Sequence, residues 1–157
     1  MKKIYLTLSL VTVMFIPSIT FGNIIDKLNE AGKFNKLNET LAKSGLNENL
    51  KSAGPFTVFA PLDDAFAAIS AKTYYGLLRE ENRDKLTNIL GRHVFSEKIT
   101  SSEIDTEVKI KAINGEEITI KKVNGIVYIN EAEVVKADVE VSNGVIHYIN
   151  RVLQPLK

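Results

Sequence analysis

The chain has 157 residues, no cysteine, two histidines and a formal net charge of +1 at pH 7. Without cysteine there is no thiol catalysis, no thiolate zinc site and no disulfide, so the fold depends on packing alone. A charge so close to zero provides no basic surface of the kind that binds nucleic acid.

The first 22 residues have the pattern of a secretory signal peptide. Lys2 and Lys3 precede an apolar run over residues 4–16, and small residues surround a plausible cleavage site after Gly22. The run is shorter than the roughly 20 residues that span a bilayer. We therefore expect export to the periplasm or the exterior with no membrane span after cleavage, and the short basic start looks bacterial. The alternative is an uncleaved anchor.

Cleavage leaves residues 23–157, which we expect to form a single domain. These 135 residues are enough to bury a core unaided. They carry 18 Lys and Arg against 19 Asp and Glu, a net charge of −1.

The first half of this domain has helical periodicity. Apolar residues recur at steps of three and four in two short segments that break near Gly32 and Gly45, and these residues are Ile24, Ile25, Leu28, Phe34, Leu37 and Leu41. A strand is predicted over residues 56–60. Helical patterns follow over residues 63–70, 74–78 and 83–90.

The second half alternates apolar and polar residues, which predicts strands. The segments EVKIKAI, EITIKKV and GIVYI are separated by Asn114-Gly115 and Asn124-Gly125, and Asn143-Gly144 joins VVKADVEV to VIHYINRVL. Asn-Gly between alternating runs is a strong hairpin signal because both residues tolerate positive φ. The fold class is therefore α+β, with a helical layer against an antiparallel sheet.

The stretch TVFAPLDDAF, residues 57–66, ends an apolar strand on two adjacent carboxylates. Asp63 is predicted to cap the following helix, and Asp64 to lie in its first turn, where negative charge meets the positive end of the helix dipole. The alternative is catalysis, which needs two carboxylates that face each other across a substrate.

These residues resemble the fasciclin-like domain, whose first conserved segment is T-x-F-A-P-T-D/N-x-A-F. SNGVIHYINRVLQP, residues 142–155, is similar to the closing segment of that family, and LTNILGRHVF, residues 86–95, resembles its middle helix ending in L-x-x-H-V. The residues carrying the motif here are Thr57, Phe59, Ala60, Pro61, Ala65, Phe66, Asn143, Gly144, His147 and Pro155.

The resemblance implies a helical layer wedged against a β-sandwich and a role as an extracellular adhesion and interaction module. It also implies a binding face, which we place in the neighbourhood of Asp63, Asp64, Arg92 and His93 because the family's segments lie near one another. The alternative is that these segments are shared only because they form the core. Arg92 replaces the tyrosine of a tyrosine-histidine pair associated with integrin binding in animal relatives, so integrin recognition is not expected.

The histidines are the remaining candidates for catalysis. His147 with Asp138 and Ser142 is conceivable as a nucleophile set, but the sequence has no Gly-x-Ser-x-Gly elbow. No H-E-x-x-H spacing indicates a metal site. We expect His147 to be a core histidine bonded to backbone carbonyls, and we expect no catalytic residue, metal or cofactor.

Three functions remain open. The first is a secreted or periplasmic non-catalytic module that binds a protein or glycan at the cell surface or envelope. The second is a carrier of a small apolar ligand or lipid in a groove beside the N-terminal helices. The third is a hydrolase built on Asp63, Asp64 or His147. The sequence leaves the oligomeric state open, because an edge strand can pair with a copy of itself.

Overall fold

The computed structural model describes residues 21–154. Residues 1–20 of the predicted signal peptide, which covers residues 1–22, and the motif residue Pro155 therefore lie outside the described residues. Within them the α-helices are α1 (Ile24–Ala31), α2 (Asn35–Ser44), α3 (Leu46–Leu50), α4 (Ala71–Leu77) and α5 (Arg83–Gly91). Three short 3₁₀ helices cover Asp63–Ala68, Glu80–Asn82 and Ser101–Glu103.

The strands are β1 (Phe56–Pro61), β2 (Val94–Phe95), β3 (Glu107–Lys111), β4 (Glu117–Val123), β5 (Ile126–Ile129), β6 (Ala132–Val141) and β7 (Gly144–Ile149). They form one sheet in the order β2-β1-β7-β6-β5-β4-β3. The α+β fold, with its helices against a mostly antiparallel sheet, is confirmed.

One pairing differs from the predicted antiparallel arrangement. Strand β7 lies parallel to β1, from Phe56 beside Gly144 to Pro61 beside Ile149. The remaining neighbouring pairs in residues 21–154 are antiparallel. Parallel strands need a long connection, which here is the whole stretch of residues 62–143. Local periodicity carries no information about a pairing between such distant segments.

The first two helices end where the sequence indicates. Asn23 caps α1 through a reciprocal pair of hydrogen bonds with Asp26, of 3.0 and 3.1 Å. Gly32 and Gly45 end α1 and α2 in the left-handed conformation, with φ of 64° and 83°. The predicted apolar faces are buried.

All three Asn-Gly pairs lie between strands. At only one of them do both residues have the positive φ on which the hairpin prediction rested. Both Asn124 and Gly125 have positive φ, 51° and 79°. At the third pair the loop residues are Ser142 and Asn143, because Gly144 already pairs with Val141. Neither residue of this pair is among those with positive φ.

Gly144 is required for a different reason, which is the closeness of β1. A Cβ atom at this position would lie 1.9 Å from the carbonyl oxygen of Phe56. The Phe56 N–H in turn donates to the carbonyl of Asn143 at 3.0 Å. The start of the parallel pair is therefore packed backbone against backbone.

Strands β1 and β7 are buried on both faces, since they separate two apolar clusters. Val58 and Ala60 pack with the helices, whereas Phe59 faces the cluster enclosed by the curled remainder of the sheet. In β7, Ile146 packs with the helices and Ile149 faces the cluster on the other side. This explains why TVFAP and VIHYI are nearly continuous apolar runs.

The sheet curls until its two ends meet. The N–H of Ile113, just after β3, donates to the carbonyl of Val94 at 2.9 Å. Along β3 itself, the alternate residues Glu107, Lys109 and Lys111 form an exposed charged row. Symmetric antiparallel pairing centred on Lys109 would place this lysine opposite its own copy, and facing like charges oppose that register.

Gly144→Ala is expected to lower the free energy of unfolding by about 2–4 kcal/mol, because the new methyl group must push β1 and β7 apart. The matched control is Gly76→Ala in α4, where a Cβ meets nothing within 4 Å. That change should leave stability unchanged or raise it by about 0.5–1 kcal/mol. Urea denaturation measures both, and equal effects would contradict the close packing inferred for Gly144.

Candidate functional site

The parallel pair sends two separate segments out of the same edge of the sheet. Pro61 at the end of β1 lies beside Ile149 at the end of β7, and the N–H of Leu62 donates to the carbonyl of Ile149 at 3.1 Å. The 3₁₀ helix Asp63–Ala68 and residues 150–154 therefore leave the sheet side by side.

These two segments and the β5–β6 turn enclose an open groove of about 810 Å³. Its charged side chains are Asp64, Glu131 and Arg151, and its amides are Asn130, Asn150 and Gln154. Small apolar residues, mainly alanines, complete the walls. The groove thus offers both signs of charge and several amide groups.

Two of the amides are oriented by the backbone. The Oδ1 of Asn130 accepts the N–H of Thr119 at 3.2 Å, and the Oδ1 of Asn150 accepts the N–H of Glu133 at 3.0 Å. Each bond uses the oxygen and leaves the NH₂ group as a donor. Fixed donors of this kind suit the carbonyl oxygens of an extended peptide.

Asp64 is exposed and lines the groove, but its neighbour Asp63 is used elsewhere. The predicted cap by Asp63 on its own helix is wrong, since that helix has no side-chain cap. The Asp63 carboxylate instead accepts the N–H of Lys36 and the side-chain amide of Asn35, both at 2.9 Å. It therefore caps the first turn of α2, which has no side-chain cap of its own.

Arg92 and His93 do not belong to an exposed face, contrary to the expectation from sequence. They are only 5% and 1% exposed. The Arg92 guanidinium forms two hydrogen bonds with Glu116, of 2.5 and 2.6 Å, which lower the pKa of that carboxyl below its ordinary value. This ion pair ties the end of α5 to the β3–β4 turn.

His93 supports the groove from inside. Its Nδ1 donates to the carbonyl of Ile89, and its Nε2 accepts the N–H of Leu153, both at 3.0 Å. Leu153 lies in the groove wall. Burial lowers the pKa of His93 from 6.5 to about 4, so the ring is neutral and can accept this bond.

His147 is a core histidine, as predicted, although only one of its partners is a carbonyl. Its Nε2 donates to the carbonyl of Ile99 at 2.7 Å, while its Nδ1 accepts the backbone N–H of Asp138 at 3.1 Å. Burial lowers the pKa of this ring as well. The carboxylate of Asp138 accepts from Ser101 instead. The conceivable set of His147, Asp138 and Ser142 is therefore not assembled.

Residues 32–155 match the family model for the fasciclin domain. The chain belongs to the fasciclin domain family. It is 45% identical over 122 residues to protein sll1483 of Synechocystis, covering 78% of this chain and 67% of that protein. It is 35% identical over 134 residues to the transforming growth factor-beta-induced protein ig-h3 of Sus scrofa, covering 85% of this chain and 19% of that protein.

A solved structure agrees with this assignment. A FAS1 domain pair from the insect cell adhesion molecule fasciclin I matches with a TM-score of 0.76 at 19% identity, over 87% of this chain and 52% of that one. The present chain therefore spans about half of the solved structure and about a fifth of ig-h3. At this identity the structural match shows the fold.

The motif residues of this fasciclin domain that the structure describes are largely structural. Thr57 is fully buried, and its hydroxyl donates to the carbonyl of Glu97 and accepts the N–H of Ile99. Ala65 and Phe66 are buried as well. The exposed ends of the two motif segments are what reach the groove.

A second, smaller cavity of about 340 Å³ lies between α5, the start of α3 and the β3–β4 turn. Leu46 and Ile113 are apolar, but Asp84, Thr87 and Asn88 also line it. It touches the N-terminal helices through Leu46, so it bears on the predicted lipid groove, and its walls combine apolar and polar side chains. Across residues 21–154, no group of acidic or histidine side chains is arranged to hold a metal, and no helix has the length and hydrophobicity to cross a bilayer.

Sequence reasoning found Asp64 but missed the other charged residues of the groove, Glu131 and Arg151. They stand outside the first motif segment, and no spacing rule connects them with Asp64. Only the parallel alignment of β1 and β7 brings the segments together.

Asp63→Ala is expected to destabilise this fasciclin domain by about 1–2 kcal/mol, because it removes the cap of α2. Asp64→Ala is the matched control, since it deletes the adjacent carboxylate, and it should change stability by less than about 0.5 kcal/mol. Denaturant unfolding of the two variants separates these roles. Equal losses would contradict the cap on α2. They would show that Asp63 contributes only what Asp64 contributes, a negative charge in the first turn of the 3₁₀ helix.

The stability of the domain should fall as the pH is lowered from 6.5 to about 4, because the unfolded chain protonates His93 at 6.5 and the folded chain only near 4. This contribution is fully present above 6.5 and is lost on acidification. Its size is on the order of 3 kcal/mol, and His147 adds to it in the same direction.

The measurement is an NMR titration of the imidazole signals together with unfolding at several pH values. The urea-unfolded chain provides the reference titration. A midpoint near 6.5 for His93 in the folded protein would contradict its role as a buried acceptor for Leu153.

Proposed function

We propose that this fasciclin domain is an exported, non-catalytic binding module that attaches a protein partner at the cell surface or envelope. Residues 1–22 serve as the signal peptide in this proposal, and residues 23–157 as the mature domain in the periplasm or the exterior. Its main support is membership of a family represented in an insect cell adhesion molecule.

The groove is the proposed binding site. Both motif segments of the family end in it, the first at Asp64 and the second over residues 150–154. The core explains why the buried motif residues are present, but it does not explain a polar groove at the point where the segments meet. Oriented amide donors and charges of both signs favour an extended protein segment as the ligand.

The non-catalytic assignment is supported by how the candidate groups are used. Both histidines are buried, neutral and bonded to backbone groups. Asp63 caps a helix, and Asp138 holds Ser101. Apart from Asp64, which lies exposed in the groove, each candidate for proton transfer therefore has a structural partner.

Charge reversal in the groove tests the proposal. Asp64→Arg and Arg151→Glu are expected to reduce capture of an envelope protein by about tenfold or more, since each replaces attraction to the partner with repulsion. The assay is cross-linking from intact cells with residues 23–157 as bait, followed by mass spectrometry. Glu48→Lys on α3 is the control, because its side chain is exposed and lies outside the groove.

Equal capture by all variants would exclude the groove as the binding site. Capture of a glycan, lost in the groove variants, would keep the site and change the partner class. A discrete added mass that is released on denaturation, with no captured macromolecule, would instead show a ligand carrier.

A further inference from the structure

We propose that Asn124 is a site of spontaneous deamidation and that the fold protects the other two Asn-Gly pairs of this chain. The three pairs share the same local chemistry, because glycine leaves its backbone nitrogen accessible to the preceding side chain. Their structural surroundings differ completely. The chain therefore contains one reactive pair and two internal controls.

In the proposed reaction the amide nitrogen of Gly125 attacks the side-chain Cγ of Asn124. The new N–Cγ bond closes a succinimide ring, the Cγ–Nδ2 bond breaks, and ammonia leaves with the proton lost by the glycine nitrogen. Water then opens the ring at either carbonyl to give aspartate or isoaspartate. Water is the only co-reactant, and the chain gains one negative charge.

Asn124 is free to react because it lies at the tip of the β4–β5 hairpin. Val123 pairs with Ile126, so Asn124 and Gly125 form a two-residue loop, and both are exposed. Within residues 21–154, neither the Asn124 side chain nor the Gly125 N–H forms a hydrogen bond outside the strand ladder. A hairpin tip opens locally without unfolding the core.

Asn143 is held at every polar atom of its side chain. Its Oδ1 accepts the N–H of Ile24 at 3.0 Å, and its Nδ2 donates to the carbonyls of Leu50 and Ser52 at 2.7 and 2.8 Å. The side chain is buried, and Gly144 is pressed against β1. Ring closure requires breaking all three bonds and displacing a central strand.

Asn114 is intermediate between these two. Its Oδ1 accepts the N–H of Glu116 at 3.0 Å, and its Nδ2 donates to the carbonyl of Asn88 at 3.3 Å. The attacking nitrogen is engaged too, since the N–H of Gly115 donates to Ala112 at 2.9 Å. This loop is half-buried against α5 and must open before it can react.

Reaction at Asn124 would change the surface of the hairpin. Val123 and Ile126 are 46% and 39% exposed on either side of the tip, and the new carboxylate would lie between them. Isoaspartate also lengthens the backbone within the loop, so it does not fit a two-residue turn. The modified tip is therefore both more acidic and less regular.

Peptide mapping of the aged protein tests the proposal. Trypsin places the three pairs in separate peptides, residues 112–121, 123–136 and 137–151. We expect folded protein kept in mildly alkaline buffer to deamidate at Asn124 first, with Asn143 slower by about a hundredfold or more. The readout is the mass change from amide to carboxyl, with chromatographic separation of the isoaspartyl form.

The same chain in denaturant is the control, because unfolding removes the structural protection. There the three rates should fall within roughly tenfold of one another, as no bond then restrains any pair. Asn124→Gln should abolish the fast phase in the folded protein and leave the other two peptides unchanged. The proposal is overturned if Asn114 or Asn143 reacts as fast as Asn124 in the folded chain.

Discussion

Asn143 joins three parts of this fasciclin domain that are far apart in sequence. It fixes the start of α1 through Ile24 and the end of α3 through Leu50, while its own carbonyl accepts the N–H of Phe56 at the start of β1. These bonds are buried, so a lost partner would leave a polar atom unsatisfied. Asn143 thereby fixes the positions of the helical layer, β1 and β7 relative to one another.

The position of the groove follows from the parallel alignment of β1 and β7. Because β1 and β7 run in parallel, both strands end at the same edge of the sheet. The segments after Pro61 and Ile149 therefore become neighbours. His93 holds one of these segments through Leu153, and Asp63 ties the other to α2. Residues that look reactive in the sequence are thus used to position the walls of the groove rather than to meet a ligand directly.

Local patterns were sufficient for most of the elements. The period of three to four predicted α1 and α2, and Gly32 and Gly45 marked their ends because both adopt positive φ. The alternating segments predicted the hairpins of the second half. The predicted roles of Asp63 and Asn143 were wrong or incomplete because the groups they satisfy, on α2, α1 and α3, are remote in sequence.

The sequence by itself determined the fold class, the apolar faces, the family motif and the absence of thiol chemistry, since each depends on residue type and short-range spacing. Only the tertiary structure decided that β7 lies parallel to β1, that Arg92 and His93 are buried, and that Asp64 shares a groove with Arg151. Contacts between distant segments arise from packing and from the need to satisfy buried polar groups. Neither constraint has a period that can be read along the chain.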